Sequence, residues 1–314
     1  MKNKININEK KNKYKKNDIR DGWIFIGLGF LLFVVFVFYP QIKNFVMAFT
    51  EYNILPGKPS KFIGLSNFKE MFFSSGPIGE SQYFFIALRN SLLAVLVTVP
   101  GQLIIGLIIA VMIQNLSKGR VTYKVLLYIP VISSWVVVSV LFKYLFQDTS
   151  GSLVNYILLK IGIINQPISW LHNEWTANLV IWILCIWKGV GWVMIIYSAA
   201  LQSLPTNLYE SAEIDGASKF QQFIYLTIPL LRRTTIYIIV QLTIGAFGIM
   251  TQVIMITGGG PLGTTETLNS YMYKKAFSEF EFGYASAVSI IMGLVVILIT
   301  TIQRKLVNEK EVNY

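Results

Sequence analysis

The sequence holds one cysteine, Cys185, and one histidine, His172. A single thiol cannot pair within the chain, so a disulfide scaffold is excluded. A lone imidazole with no second ligand type beside it does not make a metal site, and His172 reads as an exposed loop residue. Charge is also scarce: 14% of the 314 residues are Asp, Glu, Lys or Arg, against a hydrophobic share of 54%. Mean hydropathy is +0.56, which leaves a soluble globular chain too little polar surface. Aromatic residues at 14% exclude intrinsic disorder. The phosphate-cradling pattern G-x-x-x-x-G-K-[ST] occurs nowhere, so the chain has no P-loop nucleotide site of its own. What remains is an integral membrane protein.

A membrane helix needs about 20 mostly apolar residues. Such runs fall at about 22–42, 90–113, 123–146, 176–201, 234–257 and 282–302. The expected fold is therefore all-α, with six transmembrane helices. Flanking them are a basic tail at 1–21, a long loop at 202–233 and a second tail at 303–314. If both termini are cytoplasmic, seventeen of the 27 basic residues lie on that side and nine on the other. The positive-inside rule selects this orientation. The tail at 1–21 has eight basic and three acidic residues, so it supplies +5 of the net +11, and its run KKNKYKK precedes the first span. There it suits topology and contact with the anionic lipid bilayer, not nucleic-acid binding. The first apolar stretch exceeds a signal-peptide core and no small-residue cleavage pattern follows, so the first span is expected to be kept. The Lys-, Asn- and Ile-rich composition points weakly to an AT-rich bacterial genome, hence a multi-pass protein of the bacterial plasma (inner) membrane.

The outer connections carry turn signals at Pro56–Pro59 and Ser74–Pro77, with the aromatic segment Lys61–Phe68 between them. That segment suits either interfacial packing or a partner contact. The glycine-rich run Thr257-Gly258-Gly259-Gly260-Pro261 reads as a flexible turn at a membrane exit.

The strongest signal is the loop at 202–233. Asn207 with Glu210 three residues on suggests a capped helix, Asp215-Gly216 a bend, and Ser218 with Gln221 the cap of a second helix. Pro229 ends or kinks that helix before the fifth span. Phe220, Phe223, Ile224 and Leu226 give it an apolar face. The residues alone allow two readings, a mechanical contact with a partner or an amphipathic segment lying in the interface.

The loop resembles the cytoplasmic motif of binding-protein-dependent ABC importer permeases, Glu-Ala-Ala-x₃-Gly-x₉-Ile-x-Leu-Pro. Glu210-Ser211-Ala212 matches its opening, Gly216 its glycine, and Leu226-Thr227-Ile228-Pro229 its end. Ser211 replaces one alanine, and the closing Ile and Leu are exchanged. The chain is most similar to the carbohydrate branch of the maltose, glycerol-phosphate and multiple-sugar type. That likeness rests on Leu204-Pro205, Ile214-Asp215-Gly216-Ala217, Phe62-Ile63-Gly64-Leu65, Thr257–Pro261 and Phe282-Gly283-Tyr284-Ala285. The resemblance implies a coupling helix docked in a groove of an ATPase, with Glu210, Ser211, Ala212, Asp215, Gly216, Ala217 and Pro229 forming contact and bend. It also implies a second homologous permease, an ATPase dimer that binds ATP and Mg, and an extracytoplasmic solute-binding protein. No cofactor belongs to this chain, and it is a transport subunit, not an enzyme.

Inside the ends of the apolar runs, which for the third span means Val125 to Phe142, Lys188 is the only charge. A charge at membrane depth is costly and marks function by default. Its partner is backbone carbonyls and water, another subunit, or the substrate; in the last case acidic saccharides join the candidates. Trp187 and Trp192 offer flat faces for sugar stacking or helix packing. Tyr237, Gln241, Gly245, Gly248 and Gln252 share one helix face. The amides suit a polar cavity, and the glycines suit helix packing, as does Gly293. Ser289 lies on a similar stripe in the sixth span, and Gly106-xxx-Ala110 is a packing motif. The substrate path is thus expected at Lys188, Trp187, Trp192, Gln241, Gln252 and Ser289. An ABC permease for a non-sugar solute is the alternative. An intramembrane enzyme lacks its carboxylates, and Ser198 is on nearly the opposite helix face from Lys188. A channel or proton-driven carrier would want intramembrane carboxylates or an inverted repeat.

Overall fold

A computed structural model describes residues 22–23, 25–53, 59–74 and 79–308, with side chains through 305. The tails at 1–21 and 309–314, and most of the two outer turns, lie outside the described residues. Among the described residues, four helices are long and apolar enough to cross a membrane. They are α1 (Phe25–Met47), α3 (Glu80–Gln114), α7 (Glu174–Gln202) and α13 (Phe282–Asn308). Two bent pairs raise the number to as many as six. These are α4 (Arg120–Ile132) with α5 (Trp135–Leu145), and α9 (Lys219–Leu230) with α10 (Arg232–Phe247). The shorter helices are α2 (Ser66–Phe73), α6 (Leu153–Lys160), α8 (Thr206–Ile214), α11 (Thr251–Ile256) and α12 (Leu268–Phe277).

Helices α3 and α7 form the central pair. Their backbones approach because Gly106 has no side chain: a Cβ there would lie 2.6 Å from Val193. Ala110 is fully buried one turn further on, so the Gly106-xxx-Ala110 motif is a packing site, as its spacing suggests. Helix α3 has 35 residues and is about 52 Å long, well beyond an apolar bilayer core of about 30 Å. It starts at Glu80, well before residue 90. No residue of helix α1 is fully buried, and Phe25, Phe30 and Phe36 are exposed. Only lipid or another protein can cover such a surface.

Two expected straight spans are broken. The run 123–146 bends by 91° at Ser133-Ser134, between α4 and α5. Pro130 lacks an N–H, and Ser133 and Ser134 take up extended backbone. The run 234–257 breaks at Gly248–Met250, between α10 and α11. The carbonyls left open there are met from outside: Asn269 donates to Gly248 at 3.1 Å, and the Thr267 hydroxyl donates to Ile249. Pro40 and Pro229 are each absorbed by a π-helical turn, at Val34–Phe38 and Phe223–Thr227, so Pro229 does not end its helix. The chain turns only afterwards, at Leu231, by 65°.

The glycine-rich connection is not a loose turn. Asn90 of α3 donates to the carbonyls of Thr264 and Glu266, at 2.6 and 2.9 Å, and Thr257 bonds Thr265 at 2.8 Å. The aromatic segment is similarly tied down. Asn67 donates to Ala48 at 2.8 Å, and Gly283 lets α13 pass, since a Cβ there would lie 2.1 Å from the Thr50 carbonyl oxygen. His172 is exposed, as expected, and pairs with Asp148.

One ionic cluster has no counterpart in the sequence reading. Lys275 on α12 is 2% exposed and meets Glu279 at 2.6 Å, Glu80 at 2.8 Å and Glu281 at 3.0 Å. Burial pulls its pKa down, but the hydrogen bonds it donates to these carboxylates outweigh that and leave it above the ordinary lysine value. Lys275→Met would take the shared cation from three clustered carboxylates, of which only Glu279 keeps a second one, Lys274 at 3.6 Å. Those carboxylates are partly solvated, so the expected cost is about 2–3 kcal/mol, below that of a fully buried pair. Thermal unfolding in detergent checks it: a melting temperature within a degree of the parent would show that the cluster holds nothing.

Candidate functional site

A cavity of about 420 Å³ opens between α3, α7, α10 and α11. Four of the six expected substrate-path residues line it: Lys188 and Trp192 from α7, Gln241 from α10, and Gln252 from α11. Gln241 and Gln252 share it although the helix between them is broken. Gln252 accepts a hydrogen bond from the Met250 N–H at 3.3 Å, which orients it at the break. Gly245 also lines the cavity, and nothing lies within 4 Å of where its Cβ would be. The packing role expected of Gly245 is therefore not filled within this chain, nor is that of Gly293. Gly248 instead caps the end of α10.

The other two lie elsewhere. Trp187 is half-exposed and packs on Phe142, with ring centroids 5.7 Å apart. Ser289 accepts a hydrogen bond from Asn44 at 2.8 Å and joins α13 to α1. Neither lines the cavity.

Lys188 is 3% exposed. Its ammonium donates to the carbonyls of Pro130, Val131 and Ser133, each at 2.8 Å, and lies 4.6 Å from the ring centroid of Trp135. The last carbonyls of a helix have no partner within it. A cation at the end of α4 meets them and suits the negative end of the helix dipole. Of the partners open to Lys188 in the sequence, the geometry gives it backbone carbonyls, at the break between α4 and α5.

The sequence reading missed Thr98, Gln102 and Trp135, which also line the cavity. Thr98 and Gln102 stand four apart on one face of an apolar span, a signal that could have been found. The Gln102 side chain crosses Gly189, where a Cβ would lie 1.9 Å from its oxygen. Trp135 gave no such signal, because its place depends on the 91° bend.

At one end of the molecule, α8 projects as an exposed helix. It starts at Thr206, with Pro205 before it and no side-chain cap, so the cap expected of Asn207 does not form. Its other end is closed by a left-handed turn. Gly216 has φ +80°, its N–H bonds Glu213 at 3.1 Å, and the Ala217 N–H reaches back to Ala212 at 2.9 Å. This is the Schellman pattern, in which a glycine at positive φ satisfies the last carbonyls. Ser218 and Gln221 then cap α9 reciprocally, as expected. Tyr209 bonds Thr227 at 2.9 Å and ties α8 to α9. Lys219 pairs with Glu213 across the bend and holds that carboxyl below the usual carboxylate range. Glu210, Ser211, Asp215, Gly216 and Pro229 are exposed, Ala212 and Ala217 half-buried. Ile214, 87% exposed, is the apolar tip of the projection.

The chain resembles solved structures across its length. A bacterial ABC transporter involved in import of the acidic polysaccharide alginate superposes with a TM-score of 0.78, over 95% of this chain and 100% of that one, at 24% identity. Among curated proteins, the arabinooligosaccharides transport system permease protein AraP of Bacillus subtilis is 32% identical, over 90% of this chain and 87% of its own. The lactose transport system permease protein LacF of Rhizobium radiobacter is 33% identical, over 90% and 92%. Residues 102–311, which hold the exposed bend, the lysine clip and most of the cavity wall, match the family described as binding-protein-dependent transport system inner membrane component, and the chain belongs to that family.

Proposed function

We propose that this chain is a permease subunit of an ATP-driven importer that moves a sugar or oligosaccharide inward by alternating access. The carrying observation is the pairing of a polar, aromatic-lined cavity among the long helices with a rigidly capped, exposed helix at one end. The cavity offers amides and an indole face, groups that suit hydroxyls and sugar rings. Relatives named for arabinooligosaccharides and lactose support the sugar class.

In this reading six spans cross the bacterial plasma membrane with both termini in the cytoplasm, and α8 is the coupling helix. The chain binds no nucleotide itself. An ATPase dimer with ATP and Mg, a second homologous permease and an external solute-binding protein complete the importer. One structural neighbour was solved with its sugar-loaded periplasmic protein, which supports the last of these. The ATPase groove would take Ile214 and the Glu210 face of α8, and closure of that dimer would tilt α8 and α9 together through the Tyr209–Thr227 bond.

The test is ATP hydrolysis by the reconstituted importer with binding protein and a sugar panel. Glu210 is exposed and its side chain has no hydrogen bond or ion pair among the described residues, so Glu210→Lys is expected to leave assembly intact and reduce sugar-stimulated hydrolysis at least about tenfold, the equivalent of ~1.4 kcal/mol of lost coupling. Unchanged stimulation would remove α8 from the mechanism.

A further inference from the structure

The cavity carries one charge and has already engaged it. Among the described residues lining it, Lys188 alone is charged. A lysine ammonium has three N–H donors. Three carbonyls take them, each at 2.8 Å, and the Trp135 ring covers a further side. A ligand carboxylate could reach the ammonium only by displacing one of these oxygens. The Val131 carbonyl accepts from no other described group, so displacing Lys188 would orphan it. The C-terminal end of α4 is at the same place, and the negative end of a helix dipole repels an anion.

The Cys185 thiol and the indoles of Trp135 and Trp192 apart, the other polar side chains of the cavity are Thr98, Gln102, Gln241 and Gln252. Each can both donate and accept, as a sugar hydroxyl does, and none offers charge to a carboxylate. Trp192 supplies an apolar face for the C–H side of a sugar ring.

We infer that the cavity takes an uncharged polyhydroxylated solute, a neutral saccharide, and disfavours acidic sugars. This rests on the import reading above and narrows it: the acidic candidates depended on a free Lys188.

The experiment uses the complete importer in two forms. In vesicles with binding protein, import of neutral and uronic-acid oligosaccharides of equal length is measured. In detergent without binding protein, the same sugars are titrated against tryptophan fluorescence, and Trp192→Phe identifies the signal that comes from the cavity. The expected result is saturable binding of neutral sugars that is unchanged between about 20 mM and about 500 mM salt. Uronates should bind at least about tenfold more weakly. Tighter uronate binding that weakens with salt would overturn the inference while import stands. So would import of neutral sugars with no Trp192-dependent binding. If the vesicles import neither class, the import reading fails and this inference falls with it.

Discussion

Gly216→Val is expected to abolish most sugar-stimulated ATP hydrolysis while the chain still inserts and assembles. The residue stands at φ +80°, in a turn where two backbone bonds close the end of α8. A left-handed conformation costs an ordinary L-residue about 1–2 kcal/mol, and more when branched at Cβ. Helix α8 has nine residues, too few to be stable alone, so its orientation depends on that turn and on Tyr209. Valine would unwind the turn or swing α8 away from α9, and Glu210 and Ile214 would move with it. Because Gly216 is exposed, no core contact is lost. A drop of at least tenfold corresponds to ~1.4 kcal/mol of lost coupling, within what the strain supplies. Gly216→Asn is the control, since asparagine tolerates positive φ and should keep most of the activity. Full stimulation in Gly216→Val, with the ATPase bound, would show that the bend is not used.

Lys188→Met should be the most damaging single change. Methionine replaces much of the buried stem but removes the donor from three carbonyls, of which Pro130 keeps the Ser133 N–H while Val131 and Ser133 lose the bond they make to Lys188. Each unsatisfied buried acceptor costs about 1–3 kcal/mol. Allowing for some relaxation of Ser133 and Ser134, the net loss is about 3–5 kcal/mol, comparable to removing one partner of a buried ion pair. The bend between α4 and α5 would open or collapse, and Trp135 would leave the cavity wall. Import should fall at least a hundredfold, alongside a lower melting temperature. Lys188→Arg keeps the charge and donors on a larger planar group, so partial recovery is expected. A Lys188→Met importer that melts and transports like the parent would mean the carbonyls find other donors, and Lys188 would lose its place at the break.

The loop at 202–233 shows what could be read directly. Its bend, the glycine at positive φ and the Ser218–Gln221 cap depend on residues within six positions of one another, so local rules suffice. Asn207 failed as a cap because Pro205 already fixes an extended backbone before the helix, and α8 starts at Thr206, so Asn207 lies inside it. Helix-face arithmetic placed Gln241 and Gln252 in the cavity even though their helix breaks. It misplaced Trp187 and Ser289, because one face of a helix can meet lipid, a neighbouring helix or a cavity, and spacing does not distinguish them.

Composition and short-range backbone chemistry are enough to read a membrane protein with a capped, bent loop and a single charge, Lys188, deep in an apolar run. Where the spans break and what that charge touches follow from contacts between distant parts of the chain. Pro130 and Ser133 lie more than fifty residues from Lys188, and a break in a helix is tolerable inside a membrane only where some other part of the chain supplies the missing hydrogen bonds.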